Sequence, residues 1–253
     1  MVALKDISFS YSLKKKGEVK ALEKVNTYFE EESFSAIIGA SGCGKSTLIK
    51  IISGLISPNI GEVFINENPL KKIRKETAVI FQDYGLLPWK TVWANAELPL
   101  KINAGRKGEE INRQKVEKLL IEFGLANFAK HYPHELSGGM KQRLAIVRSL
   151  VCDPELLLMD EPFSNLDAIT KENAQDFLLS IKETRRLTVI MITHSVEDAV
   201  YLSDFVYVMN GINPGTITER IKICRDRNFP HKNFREEKSF QDYCYMLRQA
   251  LLN

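Results

Sequence analysis

The sequence predicts an α/β fold, on three observations. Short apolar runs at Phe34–Ile38, Val79–Phe81, Leu156–Met159 and Thr188–Thr193 have the length and composition of buried strands. Apolar residues at helical spacing lie between them, as in Leu48, Ile51, Ile52 and Leu55, or Val116, Leu119, Leu120 and Phe123. A glycine-rich segment, Gly39-Ala40-Ser41-Gly42-Cys43-Gly44-Lys45-Ser46, joins the first run to the first of these helices.

Taken in order, residues 2 to 32 carry Leu4, Ile7 and Phe9, then Leu22, Val25 and Phe29, the pattern of an antiparallel sheet. Lys14-Lys15-Lys16-Gly17 between them reads as a hairpin tip. Residues 34 to 82 supply a strand, the glycine loop, a helix from Lys45 to Leu55, a turn at Pro58 to Gly61 and a strand ending before Gln82. About 83 to 150 is mainly helical, with Gly124 as a stop signal. Residues 151 to 209 return to strands and helices, Asn210-Gly211 and Pro214-Gly215 are turn signals, and an amphipathic helix closes the chain near Phe240 to Leu252. The expected organisation is one domain over 1–253: a P-loop NTPase core sheet with an antiparallel β subdomain and an inserted helical subdomain at about 83–150.

Composition bounds the function classes. The 253 residues are 44% hydrophobic and 26% charged, enough apolar material for a sizeable core in one large domain. Basic and acidic residues number 35 and 32, so the net charge of +3 argues against nucleic acid as a partner. Cys43, Cys152, Cys224 and Cys244 show no metal-ligand spacing, and a cysteine inside the glycine loop suits a reducing compartment. Cys43 reads either as an oxidation switch or as a small loop residue. Met1 to Asp6 lacks a signal-peptide apolar region and no stretch is long enough to span a bilayer, so a membrane is reached only through a partner.

The glycine loop carries the first chemistry. Gly39, Gly42 and Gly44 let the backbone turn sharply and come close to a ligand, so successive N–H groups of Gly39-Ala40-Ser41-Gly42-Cys43-Gly44 are expected to point into one concavity at the positive end of the following helix. That concavity suits the polyphosphate of ATP: Lys45 reaches the β- and γ-phosphates, the Ser46 hydroxyl ligates Mg²⁺, and Thr47 sits by the α-phosphate. Leu156-Leu157-Leu158-Met159 then delivers Asp160 and Glu161 at the carboxyl end of a strand, the edge at which such sheets bind ligands. Asp160 is suited to hold Mg²⁺ through water, and Glu161 to orient or deprotonate the attacking water. Leu136-Ser137-Gly138-Gly139-Met140 offers a second anion site, because Ser137 is a good N-cap for the helix marked by Met140, Leu144 and Val147. A single domain has no obvious use for two phosphate cradles.

Leu136-Ser137-Gly138-Gly139 followed by Lys141-Gln142-Arg143 resembles the signature of the ATP-binding cassette family. The resemblance implies that two such domains pair head to tail, with Ser137 and Gly139 of each capping the γ-phosphate on the glycine loop of the other. It also implies that Gln82 touches Mg²⁺ and the attacking water and senses a membrane partner, and that His194 contacts the γ-phosphate. Ser164-Asn165-Leu166-Asp167 resembles the segment lying along the dimer seam, with Asn165 where a small alanine is common. Tyr11 resembles the aromatic residue that stacks on adenine, although an aromatic near the end of an amphipathic strand also serves as core.

Phe81 to Val92, with Leu86-Leu87-Pro88-Trp89 followed by Thr91-Val92 and then Asn95, is similar to importers of nitrate, sulfonates, taurine and related small anions or precursors, as is Tyr132-Pro133-His134-Glu135. The implied protein is an ATP-hydrolysing subunit at the cytoplasmic face of the membrane, peripheral, with a second copy or homologue, transmembrane permease subunits and an extracytoplasmic solute-binding protein as partners. Tyr84, Leu86, Leu87 and Trp89 are expected either to form an exposed docking groove for the permease or to pack the base of the helical part. Two competing classes are a soluble mechanical ATPase acting on nucleic acid or ribosomes, and a P-loop kinase. The first usually carries a long coiled-coil insertion or two fused cassettes, and the second leaves Leu136 to Met140 and His194 unexplained.

Overall fold

A computed structural model of the chain describes residues 1–13, 17–104, 109–225 and 231–252, so the hairpin tip expected at Lys14, Lys15 and Lys16 lies outside the described residues. The chain forms two compact units, Met1–Arg74 with Lys182–Asn253, and Lys75–Ile181. The first unit opens with β1 (Val2–Leu13), β2 (Gly17–Phe29), β3 (Phe34–Gly39), α1 (Lys45–Ile52), β4 (Ile60–Ile65) and β5 (Asn68–Pro69). The second holds β6 (Thr77–Ile80), α2 (Val92–Ala104), α3 (Glu109–Glu122), α4 (Gly138–Leu150) and β7 (Leu156–Asp160), and α5 (Ala168–Arg185) begins there. The first unit resumes with β8 (Thr188–Ile192), α6 (Val196–Leu202), β9 (Phe205–Asn210), β10 (Thr216–Lys222) and α7 (Lys238–Ala250).

In the first unit an antiparallel sheet runs β2-β1-β4-β5, and β10-β9-β3-β8 are neighbours in a mixed sheet, β9, β3 and β8 being parallel. Strands β3 and β8 are buried along their length, as their unbroken apolar runs require. Phe34, Ile37 and Ile38 are each 1% exposed or less, and burying such side chains contributes about 1.5–3 kcal/mol apiece. In the second unit β6 and β7 pair in parallel, from Thr77 opposite Leu156 to Ile80 opposite Met159. Beside them α2, α3 and α4 supply the helical part; Val116, Leu119, Leu120 and Phe123 of α3 and its continuation are buried, with Phe123 edge-on to Phe177 of α5 at 4.7 Å. Among the described residues no helix is long and apolar enough to cross a membrane.

Two departures from the sequence pattern have local causes. Leu4 and Ile7 are three apart, as are Leu22 and Val25, a spacing that regular alternation sends to opposite faces, yet all four are buried. The β1–β2 register shifts there, with Asp6 at φ 52° and Lys24 at φ 47°, so one extra residue in each strand restores the facing. Asn26 accepts from the Asp6 amide at 2.9 Å, and Ser8 accepts from the Lys24 amide at 2.9 Å, which satisfies the donors that the bulges remove from the ladder. Helix α1 is shorter than the Lys45–Leu55 pattern: it ends at Ile52, the Gly54 amide donates to Ile51 and the Leu55 amide to Lys50, both at 3.0 Å, and Leu55 is exposed. This paired closure is a left-handed glycine stop, with Gly54 at φ 77°.

Gly61 of β4 faces the Asp6 bulge at φ 87°, where an added Cβ would lie 2.3 Å from the Lys5 carbonyl oxygen and 2.4 Å from that of Asp6. The Gly61→Ala variant is expected to lose about 2 kcal/mol of stability, read as a lower urea midpoint with an unchanged slope.

Candidate functional site

In the first unit, β3 ends at Gly39 and α1 starts at Lys45, so the loop between them hangs from the carboxyl end of a buried parallel strand. Gly42 and Gly44 take φ 84° and 94°, which turns the chain back on itself. The Lys45 ammonium, only 8% exposed, donates to the Gly39 and Ala40 carbonyls at 2.8 Å each and lies 3.7 Å from Cys43 Sγ. A buried ammonium must spend its donors on acceptors, and these carbonyls hold it along the loop. Ala40, Ser41, Gly42 and Ser46 are exposed, whereas Cys43 and Thr47 are buried. Tyr11, at the end of β1 and 37% exposed, has its hydroxyl 3.2 Å from Thr47 Oγ1 and its ring edge-on to Phe9.

The loop is also supported from beneath. The turn between β9 and β10 brings Gly215 so close that a Cβ there would lie 1.9 Å from the Cys43 carbonyl oxygen, and one on Gly39 would lie 2.3 Å from the Met209 carbonyl oxygen. Gly215 is tied in turn to β2, donating to Ala21 and accepting from Glu23 at 3.1 Å each. His194 is exposed just beyond β8; on its two sides the Thr193 amide donates to Ile37 at 3.2 Å, and Ser195 caps α6 through the Asp198 amide at 3.1 Å. Its backbone is therefore fixed by the strand before it and the cap after it.

The second unit brings together the other expected residues. Because β6 and β7 are parallel and paired, Gln82 and the Asp160-Glu161 pair leave the same edge. Gln82 is exposed, Asp160 and Glu161 half-buried. Glu161 has φ 47°, and its carbonyl accepts from the Ser164 amide at 3.3 Å and hydroxyl at 3.0 Å. A side chain held in left-handed backbone costs on the order of 1–3 kcal/mol, and such positions cluster at working sites. Ser137 caps α4, accepting from the Met140 amide at 3.3 Å, and leaves the helix N-terminus facing outward with Ser137 exposed. Gly139 packs on α5, where an added Cβ would lie 2.6 Å from Thr170 Cγ2. Asp167 caps α5 through the Thr170 amide at 3.0 Å, and its bonds to the Thr170 side chain and then that amide hold its carboxyl below the usual carboxylate range.

Three residues hold the segment that follows Gln82. Tyr84 is buried, only 5% exposed, and its hydroxyl donates to the Pro162 carbonyl at 3.4 Å, so of the four residues offered as a docking groove it belongs to the interior. Burial pushes its phenol above the ordinary tyrosine range. Trp89 is 71% exposed, and Leu86 and Leu87 are half-buried. Asn95, wholly buried, accepts from the Leu87 amide at 2.8 Å and donates to the carbonyls of Leu87, Lys90 and Thr91 at 2.9–3.1 Å, which closes the loop before α2. Arg148 of α4 donates to the carbonyls of Gly85 and Tyr84 at 2.5 and 2.6 Å; burial lowers its pKa, partly offset by Asp83. The sequence signal for Asn95 is a polar residue in an apolar stretch; Arg148 looks like an ordinary cation in the last turn of a helix.

A glycine loop between a buried parallel strand and a helix, with a second serine-capped helix and a strand-end carboxylate pair, defines an α/β phosphate-binding ATPase fold. The match of the ABC transporter family over residues 22–164, more than half of the chain, then identifies it: the chain belongs to the ABC transporter family. It is 43% identical over 209 residues to the nitrate import ATP-binding protein NrtD of Synechocystis sp., covering 83% of this chain and 77% of that one. It is 40% identical over 243 residues to the aliphatic sulfonates import ATP-binding protein SsuB of Bacillus cereus, covering 95% and 92%. The dimeric structure of MJ0796, a bacterial ABC transporter cassette, superposes with a TM-score of 0.76 at 31% identity, covering 89% of this chain and all of that one. A post-hydrolysis dimer of the same cassette, bound to ADP and Pi, gives 0.75 at 32% identity with the same coverage.

The contact under the glycine loop yields a test that leaves the loop's own side chains in place. Gly215→Ala is expected to cost about 2 kcal/mol in thermal stability by overpacking, and to weaken ATP binding because Cys43 and its loop must move; paired calorimetric unfolding and nucleotide titration check both.

Proposed function

We propose that this chain is the ATP-binding and ATP-hydrolysing subunit of an importer for a small solute such as nitrate, a sulfonate or taurine, acting through a separate membrane permease. The observation that carries the reading is the buried Lys45 ammonium held by the carbonyls of its own glycine loop at the start of α1, which sets a positive charge at a helix N-terminus of the kind that suits a polyphosphate. The names of the nitrate and sulfonate import relatives support the importer class over a mechanical ATPase.

In this reading Gly39 to Thr47 hold the triphosphate, with Lys45 on the β- and γ-phosphates and Thr47 by the α-phosphate, while Tyr11 stacks on adenine. Ser46, Gln82 and Asp160 offer the hydroxyl, carbonyl and carboxylate oxygens that suit Mg²⁺, Asp160 acting through water. Bound with the nucleotide, Mg²⁺ supplies charge neutralisation at the β- and γ-phosphates. Glu161 orients and deprotonates the attacking water, its left-handed backbone fixing where the carboxylate starts from; His194 contacts the γ-phosphate. Ser137 and Gly139 cap the γ-phosphate bound by a second copy, so two copies close on two nucleotides and loss of the γ-phosphate reopens them.

The helical segment at about 83–150, with Trp89, Leu86 and Leu87 turned to the permease, carries closure to the transport path. The chain sits peripherally on the cytoplasmic face, and an extracytoplasmic solute-binding protein completes the assembly.

Glu161→Gln is expected to keep ATP affinity, to lose about 100-fold or more in hydrolysis, and to accumulate as an ATP-bound dimer in size-exclusion chromatography. A monomeric variant hydrolysing at the parent rate would remove Glu161 from the mechanism. Ser137→Arg places bulk and charge at the shared contact, and is expected to abolish cooperative turnover while leaving nucleotide binding to the glycine loop.

A further inference from the structure

Between Gln82 and α2 the chain is held by side chains to which the roles above give no task. Tyr84 and Gly85 are successive residues in left-handed backbone, at φ 62° and 55°. Their two carbonyls are both taken by the guanidinium of Arg148, at 2.6 and 2.5 Å. Immediately upstream, the Gln82 carbonyl accepts from the Asn165 carboxamide at 3.3 Å, and Asn165 follows the Glu161 turn by four residues. Immediately downstream, Asn95 closes Leu87 to Thr91. The segment from Gln82 to Thr91 therefore has little freedom of its own: its position follows that of α4 through Arg148 and that of the Glu161 turn through Asn165.

Helix α4 is suited to act as a lever. It runs unbroken from Gly138 to Leu150, with neither proline nor glycine after Gly139, Ser137 capping one end and Arg148 in the last turn at the other. Arg148 lies eleven positions after Ser137, a helical span of about 16 Å. Arginine suits this: its rigid planar fork holds two carbonyls in one fixed geometry and stays charged when half-buried, whereas a lysine ammonium on its flexible stem can reach carbonyls but imposes no fork geometry.

We propose that Arg148 latches the Gln82–Gly85 segment to α4, so that a phosphate met at the Ser137 end moves Gln82 and Trp89 through a rigid helix, with Asn165 as a second, weaker latch. Arg148 and Asn165 are then positioning residues that touch no nucleotide. The proposal rests on the reading of Ser137 as the contact to a phosphate held by a second copy.

Trp89 provides the readout, since the chain has two tryptophans and Trp93→Phe leaves Trp89 alone. In the full chain carrying Trp93→Phe, at concentrations that allow pairing, a non-hydrolysable ATP analogue with Mg²⁺ is titrated while affinity and acrylamide quenching of Trp89 are measured together. The expected result is a saturable change in quenching that Ser137→Arg abolishes. Arg148→Gln is expected to bind the analogue within about twofold of the Trp93→Phe parent yet to lose the quenching change at least about fivefold, with Arg148→Lys intermediate. Asn165→Ala, at an exposed position that does not endanger folding, is expected to reduce the change partially. A full Trp89 change in Arg148→Lys and Asn165→Ala, or in a folded Arg148→Gln, would overturn the latch, as would nucleotide binding by the parent with no Trp89 change. Failure of the parent to bind the analogue would instead overturn the nucleotide reading itself, and the latch with it.

Discussion

Backbone lying directly on backbone beneath the loop from Gly39 to Ser46 is the constraint from which the glycine-loop end of the first unit is built. Met209 presses on Gly39 and Gly215 on Cys43 at distances that admit no side chain. That contact lets β3 and β9, which are parallel neighbours, hand the loop a rigid floor, and the Lys45 ammonium can then be gathered in by the Gly39 and Ala40 carbonyls. A floor of side chains would have left the loop free to relax around each rotamer. A floor of hydrogen-bonded main chain has no such freedom, so the loop leading into α1 is held in one arrangement.

The second unit uses the opposite device. There the residues around Gln82 and Glu161 are set by side chains reaching for carbonyls: Arg148 for Tyr84 and Gly85, Asn165 for Gln82, Ser164 for Glu161. Tyr84 and Glu161 both sit in left-handed backbone, a conformation that non-glycine residues hold only when their surroundings over-determine it. Buried Asn95 and the anchored Tyr84 ring provide that determination on one side of Gln82.

Family membership gives these arrangements a common purpose. Asp160, the last residue of β7, and Glu161 just beyond it stand at the same strand edge as Gln82. The exposed Trp89 and half-buried Leu86 and Leu87 follow within a few residues. Trp89 thus lies seven residues beyond Gln82, across one tightly held turn.

Much of this was legible from residue order alone. The strands β3, β7 and β8 declare themselves as unbroken apolar runs, because a strand covered on both faces has no polar face to alternate with. The glycine loop, the Ser137 cap and the Asp160-Glu161 pair were visible because their chemistry depends on neighbours one to four residues away, the range over which sequence and geometry are the same thing. Tertiary structure alone decided that Tyr84 turns inward, that Arg148 spends its fork on two carbonyls of a turn 63 and 64 residues earlier, and that Gly215 exists to let Cys43 approach. Those partners are distant in the chain, and a tyrosine, an arginine or a glycine carries no mark of which backbone it will meet until the fold has brought the two together.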